Sequence, residues 1–280
     1  MELTNALYLG SISLVPEYVR KNRIDVVLVA LTYRDHPQLF ELVRDCEGLN
    51  TEIMMVPDMV ELMTSNVRIT ELEGIPFLQV KEVALTTWDR ITKRTFDLVF
   101  AFVVLLLALP FFLIIALFIK LTSSGPVLYL QERVGLDGRN FRVLKFRTMN
   151  VDAEKSTGPV WAVKDDPRTT SIGRILRRFS LDELPQLLNV LQGEMSIVGP
   201  RPERPHFVDR FKEEIPKYLD RHRVKTGMTG WAQVNGLRGD APIEERTRLD
   251  VYYVENWSLA FDLKIILKTL RAVLFGSDAY

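Results

Sequence analysis

The longest apolar stretch of the chain covers residues 98–119 and contains no charged residue. A helix of this length is sufficient to cross the hydrocarbon core of a bilayer. Pro110 lies near its middle, and proline removes one backbone donor and clashes with the preceding turn, so a bend or break is expected there. Lys93 and Arg94 precede the stretch and Lys120 follows it, so the charges do not direct its two ends to opposite faces of a membrane.

Two membrane arrangements are compatible with this pattern. In the first, both ends lie in the cytoplasm and the segment enters one leaflet and returns as a helix-break-helix wedge at Pro110. This requires another donor for the carbonyl of Leu106, four residues before the proline. In the second, the segment is a kinked single-pass anchor. The charge pattern slightly favours the re-entrant arrangement.

Residues 1–85 combine short apolar runs with one helical pattern. Residues 26–31 and 53–56 have the composition of buried strands, and apolar residues at helical spacing lie between Pro37 and Cys46. This order predicts a βαβ unit with parallel strands. No Gly-x-Gly sequence occurs in the chain, so the dinucleotide-binding fingerprint is absent. The prediction is a partial α/β, Rossmann-like domain with a regulatory or structural role.

Short strands and a long loop are predicted after the apolar stretch. Ser-Ser-Gly-Pro at 123–126 is a turn signal, and residues 127–130 and 141–144 are predicted to be strands. Residues 155–170 predict a long loop of the kind that often carries function. Residues 249–275 have helical spacing with interspersed cations, which fits either a helix lying on a membrane or an ordinary packing helix.

A helix is predicted to begin close to two adjacent carboxylates, Asp182 and Glu183. Apolar positions from 184 to 191 share one helical face, which ends at Gly193. Pro185 is tolerated only in the first turn, where backbone amides lack partners within the helix. The two carboxylates are therefore expected at or just before the helix N-terminus.

Length and composition narrow the class of protein. A chain of 280 residues accommodates about two domains. Acidic and basic residues balance at 36 each, so net charge indicates no nucleic-acid partner. Cys46 is the only cysteine, which excludes a disulfide within the chain and a cysteine-rich metal site. The first twenty residues lack the pattern of a cleavable signal peptide, so membrane attachment is expected from the internal apolar stretch.

Basic residues cluster beside the apolar stretch and again further along the chain. Such clusters suit phosphate groups of a lipid or of a soluble anionic substrate. A solvated basic face that contacts only lipid headgroups is the alternative. The clusters consist of Arg133, Arg139, Arg142, Lys145 and Arg147, and of Arg174, Arg177, Arg178, Arg201 and Arg204.

The adjacent carboxylates and arginines have the chemistry of phosphoryl transfer. One carboxylate can attack phosphorus while the other holds a divalent cation that neutralises phosphate charge. The alternative is structural, because Ser180 and Glu183 have the spacing of a capping box. Pro185 weakens that alternative, since a box starting at Ser180 places proline where its missing amide is needed.

Six motifs in order resemble one family. Over residues 91–280 the chain resembles the bacterial sugar transferases, the monotopic phosphoglycosyl transferases. The motifs are Lys-Arg-Thr-Phe-Asp at 93–97, Lys-Phe-Arg-Thr-Met at 145–149, Asp-Pro-Arg at 166–168, Ser-Leu-Asp-Glu-Leu-Pro-Gln-Leu at 180–187, Gly-Pro-Arg-Pro at 199–202 and Thr-Gly-Trp-Ala-Gln-Val-Asn-Gly at 229–236.

The resemblance implies a reaction and a set of site residues. It implies transfer of a hexose 1-phosphate from a UDP-sugar to undecaprenyl phosphate with release of UMP. It also implies a covalent phosphosugar intermediate on Asp182, with Mg²⁺ bound by Glu183. The residues implied to meet substrate phosphates are Lys145, Arg147, Arg168, Arg178 and Arg201.

The resemblance further implies an architecture and a location. It implies an α+β fold in which a mainly helical catalytic domain, residues 123–280, faces the cytoplasm at the bacterial inner membrane. Residues 86–122 form a connector and a re-entrant helix broken at Pro110. Residues 1–85 resemble the end of the α/β domain of larger members, so the chain is expected to correspond to a truncated large member. A homodimer, a glucose or galactose donor, and a place as the first membrane step of exopolysaccharide, capsule or O-antigen synthesis are also implied.

Two other functions remain open from the residues alone. The first is a glycosyltransferase that moves only the sugar and releases UDP, although the metal-binding Asp-x-Asp common in that class is absent from the sequence. The second is a non-catalytic membrane scaffold, in which the arginines contact headgroups and the carboxylates cap a helix.

Overall fold

The computed structural model describes residues 10–30, 36–56, 69–72, 75–81, 84–151, 153, 166–237 and 241–275. The chain divides into two compact units, Met1–Ala84 and Leu85–Tyr280. The predicted boundary after residue 85 differs from this division by one residue.

The first unit combines helices with a mixed sheet. Strands β1 and β2 pair in parallel on either side of α2 in the chain, which confirms the predicted βαβ unit. Strand β4 pairs antiparallel with both β2 and β3, and the strand order is β1-β2-β4-β3. The Rossmann-like description stays a prediction. The elements are α1 (Val15–Asn22), β1 (Val26–Val29), α2 (His36–Asp45), β2 (Glu52–Met55), β3 (Ile69–Leu72) and β4 (Ile75–Lys81), with a 3₁₀ helix at Ile12–Leu14.

The second unit contains most of the helices and two small sheets. Strands β5 and β6 form an antiparallel hairpin, and β7 pairs in parallel with β8. The elements are α3 (Thr87–Thr122), β5 (Leu128–Val134), β6 (Asn140–Phe146), α4 (Ser171–Arg178), α5 (Gln186–Gln192), β7 (Ser196–Val198), α6 (Pro205–Glu214), β8 (Gly227–Thr229), α7 (Trp231–Val234), α8 (Ile243–Glu255) and α9 (Leu259–Phe275). Three 3₁₀ helices lie at Leu136–Gly138, Leu181–Glu183 and Tyr218–His222.

Helix α3 contains the predicted membrane segment. It begins with a capping box, in which Thr86 accepts from the backbone amide of Asp89 and the Asp89 carboxylate accepts from the amide of Thr86. Among the described residues it is the one helix long and apolar enough to cross a membrane, with a mean hydropathy of 3.2 in its most apolar window. The helix continues through Pro110 without interruption, so the predicted break is not found there. The re-entrant course stays a prediction.

The start of α3 is held to the second unit by polar contacts. Lys93 donates to the Asp262 carboxylate in α9 at 2.7 Å. The Asp97 carboxylate accepts from the Ser196 hydroxyl and the Ile197 amide, both at 3.0 Å. Arg94 donates to two backbone carbonyls at the end of α5, at 2.6 and 2.8 Å. These contacts fix the first three turns against α5, β7 and α9.

The far end of α3 is held by apolar packing. Ile115 and Ile119 are buried in one cluster with Phe146 of β6 and Leu176 of α4. Between the two ends most of the helix surface is exposed, and the exposed large side chains there include Phe102, Leu106, Leu107, Leu109, Phe111, Leu113 and Ile114. Helix α3 therefore contacts the same unit at both ends and leaves an apolar surface in the middle.

Several smaller predictions can be compared with the structure. The predicted helix ending at Gly193 is confirmed, with Gly193 in a left-handed conformation after α5. The predicted strands at 127–130 and 141–144 are confirmed as parts of β5 and β6. Residues 249–275 form two helices that meet around residues 256–258. Most of the predicted loop at 155–170 lies outside the described residues.

Candidate active site

Three segments of the second unit converge on the predicted carboxylates. The 3₁₀ helix Leu181–Glu183 presents the acidic pair, β6 brings Lys145, and the segment after β7 brings Arg201. Lys145 is the second-last residue of β6, at the end of the hairpin away from its turn, where it pairs across the strands with Tyr129.

The turn that carries the carboxylates confirms their predicted place before a helix. Pro185 precedes Gln186, the first residue of α5, so its missing amide removes no bond from the helix ladder. Ser180 has φ of +53° and its side chain makes no capping bond. The capping-box alternative is therefore wrong, because Glu183 bonds to cations rather than to the backbone of Ser180.

Glu183 forms two ion pairs through the same oxygen. Lys145 Nζ lies 2.7 Å and Arg201 Nη2 lies 2.8 Å from Glu183 Oε1. Burial acts to raise the pKa of Glu183, but the charges of Arg201 and Lys145 outweigh it and hold the pKa below its usual range. The Glu183 charge in turn raises the pKa of Arg201. Glu183 is therefore ionised throughout the range in which proteins function.

Asp182 has a different environment although it is the neighbouring residue. It is buried, and no hydrogen bond or ion pair to its side chain is found among the residues that the structure describes. Burial raises the pKa of Asp182; Lys145, Arg177 and Arg201 oppose this shift, and the Glu183 charge adds to it. The two carboxyls thus differ in pKa in the way expected of paired groups with separate roles. Asp182 keeps both oxygens uncommitted.

The cleft beside Glu183 includes residues to which the sequence assigned no role. Gln186 is almost fully buried there, and Arg133 donates to the carbonyl of Pro202 at 3.0 Å. Burial lowers the pKa of Arg133 to about 10, against the influence of Glu203. The lining residues are Arg133, Val143, Lys145, Glu183, Gln186, Arg201 and Pro202. Gln186 lies one helical turn after Asp182, and this spacing is the sequence feature from which its position in the cleft could have been predicted.

Arg177 and Arg178 occupy different environments despite being adjacent. Arg177 donates to the Thr148 hydroxyl at 3.0 Å and lies close enough to Asp182 to lower its pKa. Arg178, the residue implied by the resemblance, is exposed and its guanidinium lies 5.7 Å from the centre of the Phe179 ring. Neighbouring residues of a helix point about 100° apart, so only one of the two can face the acidic pair.

The two remaining predicted cations are bonded elsewhere. Arg147 donates to Ser123 and to the carbonyl of Ser124, at the end of α3. Arg168 forms a two-point pair with Asp166, at 2.8 and 2.6 Å, and this bond lowers the pKa of Asp166 to about 2. Of the five predicted phosphate-binding cations, the structure therefore brings Lys145 and Arg201 to the acidic pair.

The donor set can be tested against the expected Mg²⁺. No group of three or more His, Cys, Asp or Glu side chains suited to a metal occurs among the residues described. Mg²⁺ is commonly held by one or two carboxylates together with substrate phosphates and water, so an all-protein cage is not required. Asp182 and Glu183 fit that donor chemistry.

Comparison with known proteins identifies the family of the chain. The family model described as bacterial sugar transferase matches residues 88–276. The UDP-glucose:undecaprenyl-phosphate glucose-1-phosphate transferase of Escherichia coli (strain K12) is 38% identical over 275 residues, which is 97% of this chain and 59% of the relative. The protein of the same name from Caulobacter vibrioides is 45% identical over 194 residues, 67% of this chain and 72% of the relative.

A shorter relative matches this chain over almost its whole length. The exopolysaccharide production protein PSS of Rhizobium leguminosarum bv. phaseoli is 46% identical over 196 residues, which is 66% of this chain and 96% of the relative. The chain spans only 59% and 60% of the lengths of its Escherichia coli and Klebsiella pneumoniae relatives. The family model nevertheless contains the acidic pair, the cations around it and helix α3. The chain belongs to the bacterial sugar transferase family.

Proposed function

We propose that this chain transfers a hexose 1-phosphate from a UDP-sugar to undecaprenyl phosphate and releases UMP. The observation that carries the proposal is the asymmetry of the acidic pair. Glu183 is paired with Lys145 and Arg201, whereas the buried Asp182 beside it has no side-chain partner among the described residues. A carboxylate with uncommitted oxygens next to phosphate-binding cations suits a nucleophile for phosphorus.

The proposed reaction has two displacements at the same phosphorus. An Asp182 oxygen attacks the phosphorus that bears the sugar, the bond from that phosphorus to the bridging oxygen of the diphosphate breaks, and UMP leaves. An oxygen of the lipid phosphate then attacks the phosphosugar, and the Asp182 carboxylate is released unchanged. The product is a lipid diphosphate sugar, and no oxidant or reductant is needed.

The cations supply electrostatic stabilisation for both displacements. Lys145 and Arg201 already lie within 3 Å of Glu183 Oε1, so they are placed where diphosphate oxygens gather. Lys145 and Arg177 act to lower the pKa of Asp182 and so favour the anionic nucleophile against the effect of burial. Glu183 would hold Mg²⁺, which would supply neutralisation of charge on the phosphates and the leaving group.

The contacts of α3 support a re-entrant course within this proposal. Asp97 and Ile119 are separated by 22 residues, about 33 Å along a straight helix. Both are buried against the second unit, through Ser196 at one end and Phe146 at the other. In a single-pass helix these two residues would lie on opposite sides of about 30 Å of hydrocarbon, and one folded unit cannot contact both of them. Both ends on one face, with the exposed middle in one leaflet, require the continuous α3 to bend, and we propose that it bends at Pro110 in the membrane.

The proposed setting follows from the family and the relatives. We place the second unit on the cytoplasmic side of the bacterial inner membrane, as the first membrane step of exopolysaccharide, capsule or O-antigen synthesis. The named donors of the relatives are UDP-glucose, UDP-N-acetylgalactosamine and UDP-galactose. UDP-glucose is proposed as the first donor to test, with UDP-galactose second. A homodimer is proposed as the assembled state.

The test is an assay of nucleotide release. The purified chain in phospholipid nanodiscs is given undecaprenyl phosphate, Mg²⁺ and each UDP-sugar in turn, and UMP and UDP are quantified by chromatography. Repeated turnover to UMP that requires both substrates and Mg²⁺, with about one UMP per chain at most from UDP-sugar alone, supports the proposal. UDP in place of UMP would identify a glycosyltransferase, and no nucleotide with any donor would favour the membrane scaffold.

A further inference from the structure

Residues 145–148 physically connect the acidic pair with α3. Lys145 pairs with Glu183, whereas Phe146 packs in the cluster that contains Ile115 and Ile119 of α3. Phe146 also contacts the ring of Phe112, with ring centres 5.2 Å apart. Successive side chains of a strand point to opposite faces, so β6 faces the site with one residue and the membrane helix with the next.

Arg147 continues this connection to the end of α3. Its Nη2 donates to the Ser123 carbonyl at 3.1 Å and to the Ser123 hydroxyl at 2.8 Å, and its Nη1 donates to the Ser124 carbonyl. Ser123 is the residue that caps α3, and its amide bonds to the carbonyl of Ile119. Carbonyls that follow a helix have no partner within it, so the guanidinium satisfies groups that otherwise need water.

The turn after α3 is shaped around this guanidinium. Gly125 has φ of +111°, a conformation that side chains rarely adopt. A Cβ at Gly125 would collide with Arg147 Nη1 and with the Val151 side chain. Lys120 closes the turn from the helix side by donating to the Gly125 carbonyl at 3.1 Å. Arg147 in this position therefore leaves no room for a side chain at residue 125.

The environment of Arg147 differs from that of a cation waiting for substrate. Only 6% of Arg147 is exposed and its Nε is buried. The Arg201 side chain, by comparison, is 36% exposed beside Glu183. A phosphate would have to displace the contacts with Ser123 and Ser124 before reaching Arg147. The resemblance implied a phosphate contact for Arg147, and these contacts indicate a different role.

We propose that Arg147 is a positioning residue that fixes the exit of α3 to the end of β6. It thereby sets the place of the membrane segment relative to Lys145, Glu183 and Asp182. The kinetic consequence rests on the proposed function. The nucleotide sugar arrives from water, whereas the lipid phosphate arrives along the membrane segment, so misplacing α3 impairs the second displacement and spares the first.

The kinetic test separates the two displacements. Arg147→Met, Ser123→Ala and Gly125→Ala are compared in nanodiscs, with Arg142→Met as a control on an exposed arginine of the same strand. UMP formed in a single turnover from UDP-sugar alone, and the KM for UDP-sugar, are expected to stay within twofold. Turnover with undecaprenyl phosphate is expected to fall tenfold or more in Arg147→Met and Gly125→Ala, and less in Ser123→Ala. Arg142→Met should match the wild type.

The combined variant gives a sharper measure. Arg147→Met and Gly125→Ala disturb the same contact from its two sides, so the double variant should lose little more than either single variant. A tenfold rise in the KM for UDP-sugar in Arg147→Met, with Gly125→Ala unaffected, would overturn the proposal and identify Arg147 as a phosphate ligand. Purely additive losses would also count against it.

A spectroscopic test does not depend on turnover. In a Cys46→Ser background, nitroxide labels are attached at Leu121→Cys, near the exit of α3, and at Trp88→Cys, near its start, since both positions are exposed. In vesicles of phosphatidylethanolamine and phosphatidylglycerol, Arg147→Met should increase the mobility of the label at 121. The label at 88 should not change, because Lys93 and Asp262 hold that end.

The two tests distinguish failure of this inference from failure of the proposed function. If the wild type releases no UMP, the proposed function fails while the labels still test the role of Arg147. If UMP is released but the label at 121 is unchanged by Arg147→Met, the positioning role is refuted and the proposed function stands.

Discussion

Two of the buried charge clusters described in the second unit resemble each other in composition and differ in how their carboxylate oxygens are bonded. In the cluster at the start of α3, Lys93 and Trp257 donate to Asp262 Oδ2, at 2.7 and 3.2 Å. Tyr253 donates to Asp262 Oδ1 at 2.7 Å. Both oxygens of this fully buried carboxylate therefore have partners.

In the cluster at the acidic pair the donors are distributed unevenly. Lys145 and Arg201 both donate to Glu183 Oε1, and no donor is found for Asp182 among the described residues. The Asp182 oxygens are not among the fully buried atoms that lack a partner in the described residues, so water or a ligand can reach them. In the cluster at the start of α3, every carboxylate oxygen of Asp262 accepts a hydrogen bond, and the cluster anchors the membrane helix. In the cluster at the acidic pair, the Asp182 oxygens are available to react.

The largest expected effect comes from removing the unpartnered carboxylate. Asp182→Asn should lower UMP release by at least about 10³-fold, because Asp182 is the proposed nucleophile and an amide does not replace a carboxylate in that role. Burial raises the pKa of Asp182, so its anion is less stable in the folded state than in the unfolded state at neutral pH. The variant should therefore be as stable as the wild type or more so, as measured by thermal unfolding.

Loss of stability together with activity in Asp182→Asn would break the comparison. It would indicate that Asp182 has a structural role like that of Asp262. Full activity in this variant would refute the nucleophile assignment directly. Leu181→Val, a change in the same 3₁₀ helix that leaves both carboxylates in place, is the control for local disturbance.

Sequence reasoning predicted the parts of this comparison that depend on local pattern. Pro185 and the apolar spacing after it placed Asp182 and Glu183 before a helix, and the motifs indicated Lys145 and Arg201. It could not show which oxygen each cation contacts, since that depends on how β6 and the segment after β7 meet. The β-strand of residues 26–29 was also predicted from its run of apolar residues, although Val26 and Leu28 are exposed and only Val29 is buried.

Non-local geometry accounts for what sequence reasoning missed. The sequence does not distinguish the adjacent residues Arg177 and Arg178. The orientation of α4 about its own axis determines that Arg177 faces Thr148. Arg147 belongs to the same motif as Lys145, yet its contacts are with Ser123 and Ser124. The break at Pro110 was predicted from a local rule, and the observed helix continues through that residue.

The second prediction concerns the satisfied cluster. Asp262→Ala leaves the Lys93 ammonium buried without a counter-charge, which should cost about 3–5 kcal/mol of stability. Chemical unfolding in detergent micelles measures the loss. The double variant Lys93→Met with Asp262→Ala should recover part of it, because no unpaired charge then remains.

An exposed ion pair is the matched control for this prediction. Arg210 and Glu214 lie 2.9 Å apart on the surface of α6. Glu214→Gln should change stability by less than about 0.5 kcal/mol. A loss in Asp262→Ala no larger than this would mean that the cluster at the start of α3 does not anchor the helix.

The third prediction separates the two adjacent arginines. Arg177→Met should lower kcat/KM by about 10- to 100-fold, the size of one hydrogen bond to a charged group. Arg178→Met should change it less than about twofold, because Arg178 is exposed and contacts the Phe179 ring. The reverse order of effects would show that the resemblance assigned the arginine correctly and that α4 turns when substrate binds.

The smallest expected effect is a shift in pH dependence, and it tests the electrostatic half of the comparison. Asp182 must be anionic to attack, so with its pKa raised by burial the rate should fall as pH drops through that raised value, about tenfold per pH unit. Glu183 does not contribute to this fall, because Arg201 and Lys145 hold its pKa below the usual range.

Arg177 acts to lower the pKa of Asp182, so Arg177→Met should move the acid side of the profile to higher pH, whereas Arg178→Met should leave it in place. If Arg177→Met moved the acid side of the profile to lower pH, the titrating group would not be Asp182. The two clusters would then differ only in the hydrogen bonds of their carboxylates and not in their pKa values.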